Sequence, residues 1–136
     1  MKFVDTGWLV AWASHRDQRH GDALSMLARC GDDERLLTTN HVIGESWTLM
    51  RKRTFHAEAV GVIDLLDALV EQRRLVVHRV SEQQERAAWE WLRRRDERVY
   101  SFVDATSFRV MTDRRLREAL AFDGDFAAAG FIQVMP

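Results

Sequence analysis

Short apolar runs of β type alternate with longer amphipathic segments along this chain, and that alternation constrains its fold more than any other feature. Runs bounded by turn residues favour strands, and segments with apolar residues three or four positions apart favour helices. Two strands joined through a helix lie parallel, with the helix covering the sheet. The alternation therefore predicts an α/β fold, a three-layer α/β/α sandwich around a mostly parallel sheet of roughly five strands.

The predicted strands are much shorter than the predicted helices. We place strands at Lys2–Val4, Leu36–Thr39, Leu75–Val80, Ala119–Phe122 and Phe131–Met135. Helices are predicted at Thr6–Ala13, at His20–Cys30, from an N-cap at Asn40 through Met50, at His56–Glu71, at Glu82–Arg95, and from an N-cap at Ser101 through Met111. The two helices before and after position 54 should pack against each other as a hairpin.

Length and composition limit the class of protein. The 136 residues fit one domain, so we expect residues 1–136 to form a single unit. Cys30 is the only cysteine, which excludes an intramolecular disulfide and a cysteine-based zinc site. Because no apolar run reaches the length that crosses a bilayer and no signal peptide is recognisable, we expect a cytoplasmic protein without membrane contact.

The charge balance and the glycine pattern exclude other classes. Twenty basic and 21 acidic residues give a net charge of −1, so the chain is not a polycation that coats nucleic acid without discrimination. The sequence contains neither a P-loop nor the glycine pattern of a dinucleotide-binding turn. The candidate chemistry therefore rests on the acidic residues.

Two acidic residues stand where parallel sheets place their ligands, and two more lie on helix faces that we expect to be buried. Asp5 follows the first predicted strand directly, and Asp123 follows the fourth. Ligands bind such sheets at the carboxyl ends of the strands. Glu45 and Asp104 share helical stripes with apolar residues, which places both on faces that we expect to be buried. We therefore expect the four carboxylates to converge on one crevice.

Converging carboxylates require a compensating charge, because like charges repel and a buried carboxylate without a partner is unfavourable. A hard divalent cation with oxygen ligands, Mg²⁺ or Mn²⁺, supplies that charge. Taken alone, Asp5 could be a helix N-cap, Asp104 a first-turn acid and Asp123 a turn residue. Glu45 has no such explanation, so the four together predict a metal site.

Four segments of the sequence carry a family resemblance. They are Phe-Val-Asp-Thr from Phe3, Glu-Ser-Trp-Thr-Leu-Met-Arg from Glu45, Tyr-Ser-Phe-Val-Asp-Ala-Thr-Ser-Phe from Tyr100, and Ala-Phe-Asp-Gly-Asp-Phe from Ala121. In order and spacing, over essentially the whole chain, they resemble PIN-domain ribonucleases. The resemblance is greatest to the VapC-type toxins of bacterial toxin–antitoxin modules, and the segment around Asp104 is its most specific part.

The resemblance implies a fold, an activity and partners. It implies a PIN-like sandwich and an endoribonuclease that hydrolyses RNA with Mg²⁺ or Mn²⁺. The acidic pocket that it implies consists of Asp5, Glu45, Asp104 and Asp123. It further implies a cognate antitoxin protein that covers the active site, and a homodimer whose two crevices form a shared RNA groove.

Residues next to the four acids either match the pattern of the family or depart from it. Thr6 and Ser101 match positions whose hydroxyls support the pocket in the family. Asp125 is a second acid beside Asp123, which either contributes through water or caps an exposed turn. Gly7 departs from the commonest pattern, because a small hydroxyl residue or Ala often follows the Asp-Thr pair.

Two other functions remain open at this point. A phosphoacceptor signalling domain is also a five-stranded α/β unit with clustered acids, but it needs paired acids after the first strand and a Lys after the fifth. This chain has a single Asp5 and no Lys beyond Lys52. A catalytically idle binding module would keep the fold and the partners without the reaction. Retention of all four acids argues against that loss.

Overall fold

Helices and strands alternate along the chain in the computed structural model, which describes residues 1–136. The strands are β1 (Lys2–Val4), β2 (Leu36–Thr39), β3 (Leu75–His78), β4 (Glu118–Leu120) and β5 (Ile132–Gln133). The helices are α1 (Thr6–Ala13), α2 (His20–Ala28), α3 (Asn40–Arg53), α4 (His56–Glu71), α5 (Glu82–Arg93), α6 (Phe102–Asp113) and α7 (Asp125–Ala128). None of the helices is both long enough and apolar enough to span a bilayer.

The five strands form one sheet in the order β3-β2-β1-β4-β5, and every pair is parallel. The chain builds the sheet outward from β1 to β3 and then returns to add β4 on the other side of β1. The strand order therefore reverses between β1 and β4. In open parallel sheets a ligand crevice lies at that point, outside the carboxyl ends of the strands.

Two apolar clusters occupy the opposite faces of the sheet. Neighbouring residues of a strand point to opposite faces, and accordingly Val4 and Leu120 belong to one cluster while Phe3 and Ala119 belong to the other. Side chains of α1, α2 and α4 belong to the first cluster and side chains of α6 and α7 to the second, while α3 contributes Met50 to the first and Val42 to the second. The predicted α/β/α sandwich with a parallel five-stranded sheet is confirmed. The predicted packing of α3 against α4 is also confirmed.

Several predicted boundaries were wrong by a few residues. Strand β4 ends at Leu120, so Ala121 and Phe122 belong to the turn that leads to Asp123 rather than to the strand. Strands β3 and β5 are shorter than predicted, and α2 and α5 end two residues early. Helix α7 was not predicted, because four residues are too few to show helical periodicity.

The N-cap of α3 is Thr39 and not Asn40. The Thr39 hydroxyl accepts the backbone N–H of Val42 at 3.1 Å, whereas Asn40 is the first residue of the helix. The Asn40 side-chain oxygen instead accepts the backbone N–H of Val80 at 2.9 Å, across to the segment that follows β3. Both residue types are good helix caps. The hydrogen bond between Asn40 and Val80, which are 40 positions apart, engages Asn40 elsewhere and leaves the cap to Thr39.

Candidate functional site

Three of the four predicted acids meet at the carboxyl edge of the sheet, beside the point where the strand order reverses. One carboxylate oxygen from each of Asp5, Asp104 and Asp123 lies within 4.8 Å of the other two. Asp5 and Asp104 are buried, and Asp123 is exposed at the mouth of the pocket. We call these three residues the acidic pocket.

Asp5 is fixed in the pocket by the sheet itself. It follows β1 directly, and its backbone N–H donates to the carbonyl of Leu120 on β4 at 3.1 Å, which continues the parallel pairing for one more residue. Asp5 occupies the N-cap position of α1, but its side chain makes no capping hydrogen bond. Helix capping therefore does not explain why a carboxylate occupies this position.

Asp104 is positioned by the first turn of α6. The Ser101 hydroxyl accepts the Asp104 backbone N–H at 2.9 Å, and the Asp104 Oδ2 accepts the Ser101 backbone N–H at 2.9 Å. This reciprocal pair is a capping box, which confirms the predicted cap at Ser101. Asp104 thus has the expected first-turn role. Because a carboxylate has two oxygens, that role is compatible with a place in the acidic pocket.

Asp123 is held by a turn between β4 and α7. Its Oδ1 accepts the backbone N–H of Asp125 at 3.1 Å, and Gly124 between them has φ of +80°, a conformation that glycine adopts without strain. Asp125 is half-buried and forms an ion pair with Arg98, whose Nη2 also donates to the Asp123 carbonyl at 2.9 Å. Asp125 thus lies outside the acidic pocket and stabilises the turn that carries Asp123.

Glu45 does not lie on a buried face, and that prediction was wrong. The buried stripe of α3 runs through Val42, Ser46 and Met50, and Glu45 is exposed beside it. Ser46 takes the buried position at little cost, because its hydroxyl donates to the Val42 carbonyl at 2.7 Å. Glu45 is still close enough for its charge to raise the pKa of Asp5. It therefore stands at the rim of the pocket.

Burial and mutual repulsion shift the acids of the pocket toward their protonated forms. Burial raises the pKa of Asp5 to about 8, and the charges of Asp104, Asp123 and Glu45 add to this shift. Burial also raises the pKa of Asp104 to about 6, assisted by the charges of Asp125 and Asp123. The pKa of Asp123 is raised for the same two reasons. These carboxylates are unfavourable as a group unless a cation joins them.

The donors of the pocket fit a hard divalent cation. All of them are oxygens, and none of the three carboxylates forms an ion pair with Lys, Arg or His. Beside Asp5, the buried Oγ1 of Thr6 has no hydrogen-bond partner. Buried hydroxyls without a partner are unusual and often mark the place of a water or ion. Mg²⁺ and Mn²⁺ prefer such oxygen donors and keep bound waters, one of which could satisfy Thr6.

Arg98 is the residue at the site that the sequence analysis did not single out. It lies in the loop between α5 and α6, where no periodicity or capping pattern applies. Its contacts are with residues 25 and 27 positions further along the chain. A surplus of Arg was visible in the sequence, but no local signal distinguished Arg98 from the others.

Comparisons with known proteins show the family of the chain. The model of the PIN domain matches residues 2–132. The chain belongs to the PIN-domain family. It is 46% identical over 136 residues, which are 100% of this chain and 99% of the relative, to the 23S rRNA-specific endonuclease VapC20 of Mycobacterium tuberculosis. A VapC ribonuclease of Archaeoglobus fulgidus is 27% identical over 127 residues, covering 91% of this chain and 78% of the relative.

The same family appears among solved structures. The crystal structure of M. tuberculosis VapC20, described as a sarcin–ricin loop cleaving toxin, superposes with a TM-score of 0.88 at 44% identity and covers 100% of both chains. The resemblance to VapC-type PIN domains is therefore confirmed. Membership of the PIN family sets aside the phosphoacceptor alternative.

Proposed function

We propose that this PIN-domain protein is a metal-dependent endoribonuclease and the toxin of a toxin–antitoxin pair. The observation that carries the proposal is the convergence of the Asp5, Asp104 and Asp123 carboxylates at the switch point of the sheet. The names of its relatives, a 23S rRNA-specific endonuclease and a VapC ribonuclease, support the RNA substrate. The proposal treats residues 1–136 as one catalytic domain that acts in the cytoplasm.

In this proposal Asp5, Asp104 and Asp123 hold Mg²⁺ or Mn²⁺. The cation supplies positive charge for the scissile phosphate and lowers the pKa of a bound water. Glu45, exposed at the rim, orients the attacking water or takes its proton. Thr6 donates its free hydroxyl to the pocket, and Ser101 keeps Asp104 in place through the capping box. Arg98 and Asp125 keep the turn that carries Asp123 in position.

The experiment that tests this proposal is an RNA cleavage assay with a metal titration. The relatives named for 23S rRNA make an rRNA fragment that contains the sarcin–ricin loop the first substrate to examine. We expect no cleavage in EDTA and recovery on addition of Mg²⁺ or Mn²⁺, because no basic side chain pairs with the three carboxylates and a cation is needed to activate the attacking water. Undiminished cleavage in EDTA would refute the metal mechanism. No cleavage of any RNA with metal would favour the idle binding module.

The proposed antitoxin needs a surface that accepts an amphipathic helix. A groove of about 350 Å³ between α1, α2 and α4 is lined largely by apolar side chains, among them Trp12, Leu24, Leu27 and Leu69. Helical segments bind such grooves through apolar residues at helical spacing. We expect co-expression with the protein encoded next to this gene to suppress toxicity. Equal toxicity with and without that protein would refute the assignment as a toxin with a neighbouring antitoxin.

We also propose a homodimer that forms a shared RNA groove from two crevices. Sedimentation at micromolar concentration distinguishes it from the 15.8 kDa chain.

A further inference from the structure

A second cleft adjoins the acidic pocket on the side of α1 and α2. It has a volume of about 490 Å³ and is lined by Gly7, Asp17, Gln18, Arg19, Arg53 and Phe122. Gly7 lies two residues after Asp5, and Phe122 directly precedes Asp123. The cleft therefore begins where the acidic pocket ends, but its charged side chains include two arginines. We call it the arginine cleft.

Both arginines contact residues that line the cleft. The guanidinium of Arg19 lies over the ring of Phe122, with Cζ 3.8 Å from the ring centroid. Asp17 connects the two arginines: its Oδ1 accepts the Arg19 backbone N–H at 2.8 Å, and its Oδ2 lies 3.9 Å from Nη1 of Arg53. The cation–π contact thus positions the Arg19 guanidinium before any ligand arrives, and Asp17 keeps the Arg53 guanidinium in its neighbourhood.

Both guanidinium groups keep donors for a ligand. Arg19 uses Nε and Nη2 on Asp22, which leaves the N–H groups of Nη1 free. Arg53 makes no hydrogen bond, since its distance to Asp17 exceeds hydrogen-bond range. Both side chains are about half exposed, at 47% and 59%. Arginine with free N–H groups is suited to the oxygens of a phosphate.

We propose that the arginine cleft binds the RNA backbone phosphates next to the scissile phosphate, an inference that rests on the proposed ribonuclease function. A strand whose scissile phosphate lies at Asp5 and Asp123 enters the cleft when it continues on the side of Gly7 and Phe122. Three carboxylates exceed the charge of one divalent cation, so the two adjoining guanidinium groups supply the positive charge for the phosphates next to the scissile one. The cleft thereby positions the substrate and takes no part in the chemical step.

Gly7 keeps the cleft open. It is exposed in the first turn of α1, and a Cβ added there would meet no atom within 4 Å. A larger side chain at this position would extend into the cleft without contacting the core. The absence of a bulky side chain at position 7 thus leaves the cleft accessible to a ligand.

The first test measures how RNA binding depends on salt. All proteins carry Asp104→Asn so that a short fluorescein-labelled single-stranded RNA remains intact during anisotropy measurements. Each phosphate contact to a single strand contributes about −0.7 to the slope of log K against log salt. We expect Arg19→Gln/Arg53→Gln to weaken binding about tenfold or more and to reduce the slope by about 1.4. The matched control, Arg115→Gln/Arg117→Gln, removes two exposed arginines that precede β4, at the opposite edge of the sheet.

The second test fills the cleft without changing charge. We expect Gly7→Leu to raise KM for RNA cleavage about tenfold or more with kcat retained, whereas Gly7→Ala leaves both unchanged. Leu favours a helix more than Gly does, so the melting temperature of Gly7→Leu should be equal to or above that of the wild type. The shift in melting temperature on addition of Mn²⁺ should also be retained, which separates loss of the cleft from damage to the acidic pocket.

The outcomes separate the two proposals. If the wild type cleaves RNA but the Arg19/Arg53 variant keeps the slope of the Arg115/Arg117 control, the cleft assignment is refuted and the ribonuclease function stands. If that variant instead loses only antitoxin binding, the cleft accepts an acidic peptide and the RNA assignment is also refuted. If the wild type neither cleaves nor binds RNA, the proposed function fails and the cleft assignment fails with it.

Discussion

Asp104→Asn and Asp5→Asn are each expected to reduce RNA cleavage by more than about a hundredfold. Both substitutions keep the shape of the side chain and remove the charge that would hold the metal. Even residues that only support metal ligands typically cost 10–100-fold when they are replaced, so the loss of a ligand should exceed that range. The measurement is kcat/KM for a defined RNA at saturating Mn²⁺ in the wild type and in each variant.

Two further Asp→Asn substitutions serve as controls. Asp67 is exposed on α4, away from the acidic pocket, so Asp67→Asn should leave cleavage unchanged. Asp125 pairs with Arg98 beside the pocket, and Asp125→Asn should cause an intermediate loss of about 10–100-fold. If both Asp5→Asn and Asp104→Asn cleave like Asp67→Asn, these acids do not form the catalytic site.

The metal-free protein should lose stability between mildly acidic and mildly basic pH. The pKa of Asp5 is raised to about 8 and that of Asp104 to about 6, against about 3.9 in an unfolded chain. Between those values the native state binds more protons than the unfolded state, so the free energy of unfolding falls as pH rises. The contribution of these two groups is fully present below about pH 4 and is lost as pH rises through about 6 and then about 8.

A bound cation should reverse that loss. Metal binds the folded pocket and not the unfolded chain, so a concentration of about a hundred times Kd adds ~2.7 kcal/mol of stability. For a chain of this length the increment corresponds to roughly 10 °C in melting temperature. The shift should be larger at pH 8 than at pH 5, because at the lower pH the cation must displace protons from Asp5 and Asp104.

The decisive comparison is with the double variant Asp5→Asn/Asp104→Asn. In EDTA at pH 8 it should be more stable than the wild type, by about 1 kcal/mol or more, because it no longer confines like charges in a buried site. Its melting temperature should barely respond to Mn²⁺. Thermal melts of both proteins at pH 5 and pH 8, with EDTA and with Mn²⁺, test both statements. Equal metal-induced shifts in the two proteins would show that the cation binds elsewhere.

The sequence by itself determined the fold class and the places of three acids. Alternating strands and helices allow few arrangements other than a parallel sheet covered on both faces, and Asp5 and Asp123 follow strands whose carboxyl ends share one edge. Ser101 and Asp104 form a cap through contacts three residues apart, which local sequence specifies. These features depend on neighbours along the chain, so periodicity and capping rules were sufficient to find them.

Only the tertiary structure decided which side chains surround those acids. An apolar stripe in the sequence locates the buried face of a helix only to within about one residue. Glu45 and Ser46 are neighbours, and the structure buries Ser46, which places Glu45 at the rim. Arg98 reaches the turn of Asp123, and Arg19 reaches the ring of Phe122, through contacts between segments far apart in sequence. Such contacts follow from strand order and loop paths, which no local pattern encodes.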